Sequence, residues 1–296
     1  MQEARFYRRT LFWDVPEDHI DWERHRDWII ARTLEFGDVG EVASLIRLYG
    51  RAAILAVLAR DNVSAPAKTL WSKIASLEDD GMHEETLLPE TPAALKAVAP
   101  MAREAGFMLV GGTAAALRLG HRRSQDLDFF TSEAFDASSL EKILRSRMDV
   151  SVLKIAPDTL YVIVLGVKVS FLRQMVVSLA SDGEIDGVPI ADLGTLLALK
   201  LNAIAGRSDK KDFVDVYAIS RRSGLGGPDL MQFAERRLPG LDRTFLLKSL
   251  SYFENAERTP MPEMLADWSW QDVRRFFEAE VERVLRQETN RKSLGF

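Results

Sequence analysis

Apolar residues recur at three- and four-residue steps through the first quarter of the chain, and short apolar runs bounded by glycine appear only in its middle. Trp28, Ile29, Thr33, Leu34 and Phe36 fit one helix, which Asp21 or Asp27 would cap and Gly37 would end. Val42, Leu45, Ile46 and Tyr49, then Ile54, Val57 and Leu58, fit a second that Gly50 interrupts. A third follows Pro66 and carries Leu70, Trp71 and Ile74. Trp13, Trp22 and Trp28 crowd into this segment, and we expect them to build its compact core.

Residues 79–93, rich in acids with Gly81 and two prolines, read as a linker. Beyond it the pattern changes. Ala94–Glu104 is helical, and Phe107–Val110 is a buried strand that runs into Gly111-Gly112. Thr113–Leu119 forms a helix that Gly120 stops, and Asp126–Phe130 reads as a strand. Leu140–Arg147 is helical, and Leu160–Val164 and Val167–Leu172 make a hairpin around Gly166. Helices follow at Leu193–Ala205 and Lys211–Arg221. The remainder is mostly helical and ends in a helix over Trp270–Gln287, whose apolar face holds Val273, Phe276, Phe277, Val281, Val284 and Leu285. The fold class is therefore α+β: a small mixed-sheet core over 94–225, a helical accessory domain over 1–78 and a helical region over 226–296.

Composition narrows the chemistry. The chain has 296 residues and no cysteine, which excludes disulfides, thiol nucleophiles and thiolate zinc sites. Its four histidines (His19, His25, His83, His121) stand at no metal-ligand spacing. The net charge of −5 resides in residues 1–100, with 12 basic and 17 acidic residues, while residues 101–296 carry 27 of each. No region is basic enough to predict indiscriminate nucleic-acid binding. Apolar runs fall far short of the ~20 residues that span a bilayer, and the first residues lack the apolar stretch of a signal peptide. A cytoplasmic protein without membrane association is expected.

The informative stretch is GFMLVGGTAAALRLGHRRSQDLDFF, residues 106–130. A strand ending at Gly111-Gly112, with a helix opening at Thr113, offers unpaired N–H groups and the positive end of the helix dipole to a phosphate. The Thr113 hydroxyl adds a donor. Asp126 and Asp128 are two apart, so on a strand they share a face, with Leu127 and Phe129 turned to the core. Paired carboxylates beside a phosphate cradle suit a divalent cation that takes the rest of its ligands from substrate oxygens.

These residues resemble the signature of the nucleotidyltransferase β superfamily, a GG[ST] turn, a helix and then D-x-D. The fuller string is similar to the AbiEii/AbiGii-type toxin nucleotidyltransferases of abortive-infection and toxin–antitoxin systems, through Gly120, His121, Arg122, Ser124, Asp126 and Asp128. A second stretch matches that family too, with Lys200, Arg207, Lys211-Asp212 and Asp215 in LALKLNAIAGRSDKKDFVDVYAI. Lys200 lies among leucines, where a lysine is expensive unless it meets an anion, which a triphosphate would supply. Asp212 and Asp215, three apart, share a helix face. The resemblance implies a catalytic set of Asp126, Asp128, Lys200 and Asp212, with Gly111, Gly112, Thr113, Arg122, Ser124 and Lys200 holding the nucleotide. Asp126 and Asp128 would hold Mg²⁺ or Mn²⁺. Asp215 is expected to be structural, holding Lys211 or Arg207, and His121 to position rather than catalyse.

The activity so implied is transfer of an NMP from an NTP to an acceptor hydroxyl. A tRNA 3′ end is the acceptor the resemblance suggests, and a protein or small-molecule hydroxyl would use the same site. The strand GVKVSFLRQ departs from the wider superfamily: it offers Lys168 and Ser170 where many members carry a third carboxylate. That departure keeps a second reading open, a non-catalytic nucleotide-binding or regulatory module. The N-terminal stretch LFWDVPEDHIDWERHRDWIIARTLEFG is similar to a small domain of unknown function found beside such enzymes. It is expected to act either as an accessory, antitoxin-like module that regulates access to the nucleotide cleft or as a scaffold that completes the fold.

Overall fold

A computed structural model describes residues 9–16, 19–37, 39–60, 63–75 and 81–293. The chain divides into two compact units, Met1–Glu78 with Ser223–Leu225, and Asp79–Arg222 with Gly226–Phe296. In the smaller unit a 3-10 turn at Arg9–Phe12 precedes α1 (Arg26–Phe36), α2 (Val39–Tyr49), α3 (Arg51–Leu58) and α4 (Ala65–Ala75). Gly50, at φ +80°, separates α2 from α3 in a backbone conformation that a side chain would strain. Gly37 ends α1 by donating to the Thr33 carbonyl at 2.7 Å.

The core of this unit is aliphatic: Ile29, Ile30, Leu34, Leu45, Ile54, Val57 and Leu70, with Trp71 donating its indole N–H to the Leu34 carbonyl at 2.7 Å. The expected tryptophan core is corrected here, because Trp13 is 65% and Trp28 37% exposed. The Arg32 guanidinium lies 4.2 Å from the Trp13 ring centre, with the Trp28 and Phe36 rings at 5.6 Å. These rings pack on a cation at the surface, where their amphipathic character is used. Nor does an aspartate cap α1. Its N-cap is His25, without a side-chain bond. Asp21 instead accepts from the Glu23 and Arg24 N–H groups in the preceding turn.

The larger unit is built on a seven-stranded mixed sheet of order β3-β4-β5-β2-β1-β7-β6. The strands are β1 (Met108–Val110), β2 (Leu127–Thr131), β3 (Ser151–Ala156), β4 (Thr159–Val164), β5 (Val167–Arg173), β6 (Ser181–Ile185) and β7 (Val188–Ala191). β1 runs antiparallel to β2 and parallel to β7, and β2 runs parallel to β5. The predicted β4–β5 hairpin turns on Leu165 and Gly166, at φ +50° and +82°, the pair of left-handed residues that a two-residue hairpin loop needs. Asp186 and Gly187 turn β6 into β7 in the same way. The sequence reading lacked β3, β6 and β7.

The helices of this unit are α5 (Thr91–Glu104), α6 (Gly111–Leu119), α7 (Ala137–Arg147), α8 (Leu193–Gly206), α9 (Lys210–Ser223), α10 (Gly227–Arg237), α11 (Arg243–Leu250), α12 (Glu254–Arg258) and α13 (Trp270–Ser293). Residues 81–93, read as most of a linker, are packed into this unit. A 3-10 turn lies at Glu84–Thr86, Thr86 and Leu87 are buried, and Leu87 bridges to Ser124.

Alternation on β2 buries Leu127 and Phe129 and turns Asp128 and Phe130 to the other face. Phe107, Phe129 and Phe171 pack at centroid distances of 5.1–5.2 Å in the core. A second aromatic cluster, Phe213, Phe253, Trp270 and Phe277, fixes α9 against α13. On α13, Val273, Phe277 and Val284 are buried, while Leu285 points outward, 49% exposed. Among the described residues no helix is long and apolar enough to cross a membrane.

Candidate functional site

The turn from β1 into α6 is set by Gly111, at φ +72°. A Cβ there would stand 3.0 Å from the Cβ and Cγ of Asp128, and closer still to its carboxylate oxygen. Glycine is therefore the residue that lets the first turn of α6 lie against Asp128. At Gly112 a Cβ would come within 2.8 Å of Arg122 Nη2. The two glycines expose the backbone at the helix start to a cleft of about 960 Å³. Gly111, Gly112, Arg122, Ser124, Asp126, Asp128 and Lys200 all line this cleft.

Two of the residues read from the sequence stand behind the cleft rather than in it. Thr113 is 1% exposed. Its hydroxyl donates to the Asp126 carbonyl and lies 2.9 Å from Ser124 Oγ, so it pins the carboxylate segment to α6 instead of facing a phosphate. Asp212 is fully buried. It accepts from Lys200 Nζ at 3.1 Å and from Arg207 Nε and Nη2 at 2.8 and 2.9 Å.

Asp215 is the hub of the network, and its partners differ from those expected. Neither Lys211 nor Arg207 is among them. It pairs with Arg122 through two bonds of 2.7 and 2.9 Å, with His121 Nε2 at 2.8 Å and with Lys200 Nζ at 2.6 Å. Burial opposes its ionisation, yet Arg122 and Lys200 outweigh burial and hold the carboxyl well below its ordinary range. Burial likewise works against the Lys200 ammonium, and Asp215 and Asp212 more than compensate, raising its pKa. The anions that the buried lysine meets are thus the two carboxylates of α9. Burial dominates at His121 and pushes its pKa down, so the imidazole is neutral, with Nε2–H donated to Asp215. Among the described residues its Nδ1 has no partner.

Asp126 and Asp128 face the cleft from the head of β2. Ser170, directly across on β5 and 1% exposed, donates its hydroxyl to Asp128 Oδ1. Two carboxylates suit a hard divalent cation that completes its shell with phosphate oxygens and water. Among the described residues no cluster of three or more acids or histidines could hold a metal alone.

The sequence reading missed two walls. One is the strap Thr259–Glu263, which lines the cleft and is tied to the motif segment by the Arg123 N–H to the Glu263 carbonyl at 2.8 Å. The Leu265 and Ala266 N–H groups reach the His121 carbonyl at 3.0 Å. Pro260 and Pro262 break the helical pattern in the sequence, but nothing in the sequence tells what they face. The other wall is the sheet face of Phe130, Tyr161 and Leu172, beside Lys168, which the sequence already places on β5. Of the basic pairs in the sequence, Arg122, Arg123 and Lys211 line the cleft, whereas Arg237 is buried elsewhere.

Residues 163–283 match the family described as nucleotidyl transferase AbiEii toxin, type IV TA system, and residues 7–58 match a family of unknown function, DUF6922. An uncharacterised Aquifex aeolicus protein, aq_aa25, is 33% identical over 183 residues, which is 60% of this chain and 88% of that protein. Among solved structures, a nucleotidyltransferase described as putative from H. pylori is 15% identical at a TM-score of 0.40, covering 69% of this chain and 94% of that one. JHP933 from Helicobacter pylori is 15% identical at 0.38, covering 72% and 97%. The Megavirus polyadenylate synthase is 16% identical at 0.34, and the match spans 51% of this chain and about a third, 34%, of the viral one. With the family profile lying over β5 through α13 and a relative matched along most of its length, the chain belongs to the AbiEii nucleotidyl transferase family.

Proposed function

We propose that the larger unit transfers a nucleoside monophosphate from an NTP to an acceptor hydroxyl, with Mg²⁺ or Mn²⁺ held by Asp126 and Asp128. The observation that supports this reading is the close approach of Gly111 to Asp128, which sets the start of α6, whose open N–H groups suit a phosphate, directly beside a cleft-facing carboxylate. The cation would neutralise charge on the phosphate oxygens as the transfer proceeds.

The chain's own groups take the remaining parts. Backbone N–H groups at Gly111 and Gly112 receive phosphate oxygens. Lys200 has three N–H donors, of which Asp212 and Asp215 use two, so one remains for the triphosphate. Arg207 and Lys211 add positive charge along the same wall. Asp212 and Asp215 act as positioning residues, because they hold Lys200, Arg207 and Arg122 without facing the cleft themselves. The acceptor oxygen bonds to the α-phosphorus, the bond between the α-phosphorus and the bridging oxygen breaks, pyrophosphate leaves with the electron pair, and the hydroxyl proton passes to water. In keeping with the toxin family, the acceptor we propose is a tRNA 3′ end.

The test is incubation with each α-labelled NTP, Mg²⁺ and total tRNA, beside the Asp126→Ala/Asp128→Ala double variant. Label on RNA only with the unaltered protein supports the reading and names the base. Label on protein keeps the chemistry and changes the acceptor. NTP binding without any transfer favours a regulatory module.

A further inference from the structure

The cleft has two chemically distinct ends. At the helix end, Lys200, Arg207 and Lys211 suit a polyanion. At the sheet end the walls are two aromatic rings, Leu172 and a single lysine, with Ser170 between them on β5 and Gln174 just beyond that strand. The register fixes how this end meets the carboxylates. Asp128 on β2 lies opposite Ser170 on β5, and Ser170 lies opposite Tyr161 on β4. Phe130, two residues beyond Asp128 on the same face, lies opposite Leu172. Two strand spacings place Tyr161 about 10 Å from Asp128, backbone to backbone. Both rings are half-buried and open to the cleft. Lys168 is exposed, with Nζ 5.7 Å from the centre of the Tyr161 ring.

We propose that this sheet face is the acceptor platform, where Tyr161 and Phe130 stack the terminal base of a single-stranded nucleic acid and Lys168 meets its backbone phosphate. The proposal rests on the nucleotidyl transfer reading above. Its argument is one of exclusion and fit. With the triphosphate at the helix end, the acceptor approaches Asp128 from the remaining side, and that side is aromatic. Flat rings beside one cation are what a base followed by a phosphodiester requires, and stacking tolerates every base because each has a π face. A sugar or aminoglycoside acceptor would call for convergent hydrogen-bonding groups, whereas here the Ser170 hydroxyl is spent on Asp128 and the Gln174 amide oxygen on the Val176 and Val177 N–H groups, which leaves mainly two rings, Leu172 and one ammonium. An RNA and a DNA end present the same face, so both enter the test.

The experiment uses the full chain and eight-nucleotide RNA and DNA oligomers carrying 2-aminopurine at the 3′ end. Binding to the unaltered protein should quench the fluorophore, since stacking does so. The Tyr161→Ala/Phe130→Ala variant should bind the oligomers roughly 5- to 150-fold more weakly, with its affinity for a non-hydrolysable NTP analogue unchanged by calorimetry. Tyr161→Phe, which keeps the ring, should bind as the unaltered protein does, and this guards against misfolding of the alanine variant. Lys168→Ala should lower the salt dependence of binding by about one phosphate contact. A preference between the two oligomers names the source of the acceptor. Unchanged oligomer affinity or quenching in the double variant overturns the platform. Failure of both oligomers to bind a protein that does bind the NTP analogue overturns the acceptor class and leaves the transfer reading standing. Failure to bind the analogue removes both.

Discussion

Arg122 and Asp215, 93 residues apart in the chain, meet through two parallel bonds of 2.7 and 2.9 Å with almost no exposed surface on either. A bidentate pair of this kind fixes both position and orientation. It locks the motif segment ahead of β2 to α9, and Lys200 joins from α8 at 2.6 Å. Removing one partner of a buried pair leaves the other charge uncompensated, which costs about 3–5 kcal/mol. Asp215→Asn should lower unfolding stability by that amount in urea titrations followed by circular dichroism. A loss below about 1 kcal/mol would show that Arg122 and Lys200 find other partners.

The same hub makes acid stability depend on His121. Its pKa is lowered by burial, so the folded state binds this proton less readily than the unfolded chain does. A depressed pKa contributes stability above the unfolded value of about 6.5 and loses it as pH falls toward the folded value. Protonation would add a charge beside Arg122 and Lys200. Unfolding free energy should therefore fall as pH drops below about 6.5, and His121→Gln should flatten that slope above pH 5. Below about pH 4 the slope should persist in the variant, because Asp215, held well below its ordinary value, is protonated there in the unfolded chain first. Denaturant midpoints at half-unit pH steps read both segments.

Gly111→Ala should damage both fold and function. The φ of +72° costs an L residue about 1–2 kcal/mol before any clash. The added methyl must also push against Asp128, whose carboxylate is backed by Ser170. We expect a lowered melting temperature together with weaker NTP binding by calorimetry. An alanine variant that melts and binds like the unaltered protein would contradict the close approach.

Much of this site was readable before the fold was known, because its parts are local. Gly111-Gly112, Asp126 and Asp128 lie within 18 residues, and strand alternation alone puts Leu127 and Phe129 inside. The β4–β5 hairpin was readable because Gly166 stands between two apolar runs. The Asp186-Gly187 turn carried an equally good signal, but β6 is short and polar, so its pattern resembles a loop. What escaped was contact across distance. His121 and Arg122 meeting Asp215, and the strap Thr259–Glu263 closing the cleft, depend on how α9 and the C-terminal helices pack. Hydroxyl partners are equally invisible in sequence: the Thr113 hydroxyl could serve a phosphate, yet it is spent on the Asp126 carbonyl. The tryptophans misled because hydrophobicity does not separate a core ring from a ring stacked on Arg32.

Ser170 offers the most direct probe of the metal reading. Its hydroxyl donates to Asp128 Oδ1 from the position directly across the sheet, where it is shielded from solvent. Through that bond it holds one oxygen of the carboxylate, while the other lies against Gly111 at the start of α6. Groups that orient a metal-binding carboxylate typically contribute 10–100-fold to metal affinity or activity. Ser170→Ala should therefore raise the Mg²⁺ concentration for half-maximal transfer by about tenfold or more, while saturating Mg²⁺ restores most of the rate. Ser170→Thr, which keeps the hydroxyl, should lie close to the unaltered protein. Mn²⁺ binding followed by electron paramagnetic resonance should show the same order without any turnover. An alanine variant with an unchanged Mg²⁺ requirement and unchanged Mn²⁺ affinity would mean that Asp128 needs no such support, and would weaken its assignment as a metal ligand.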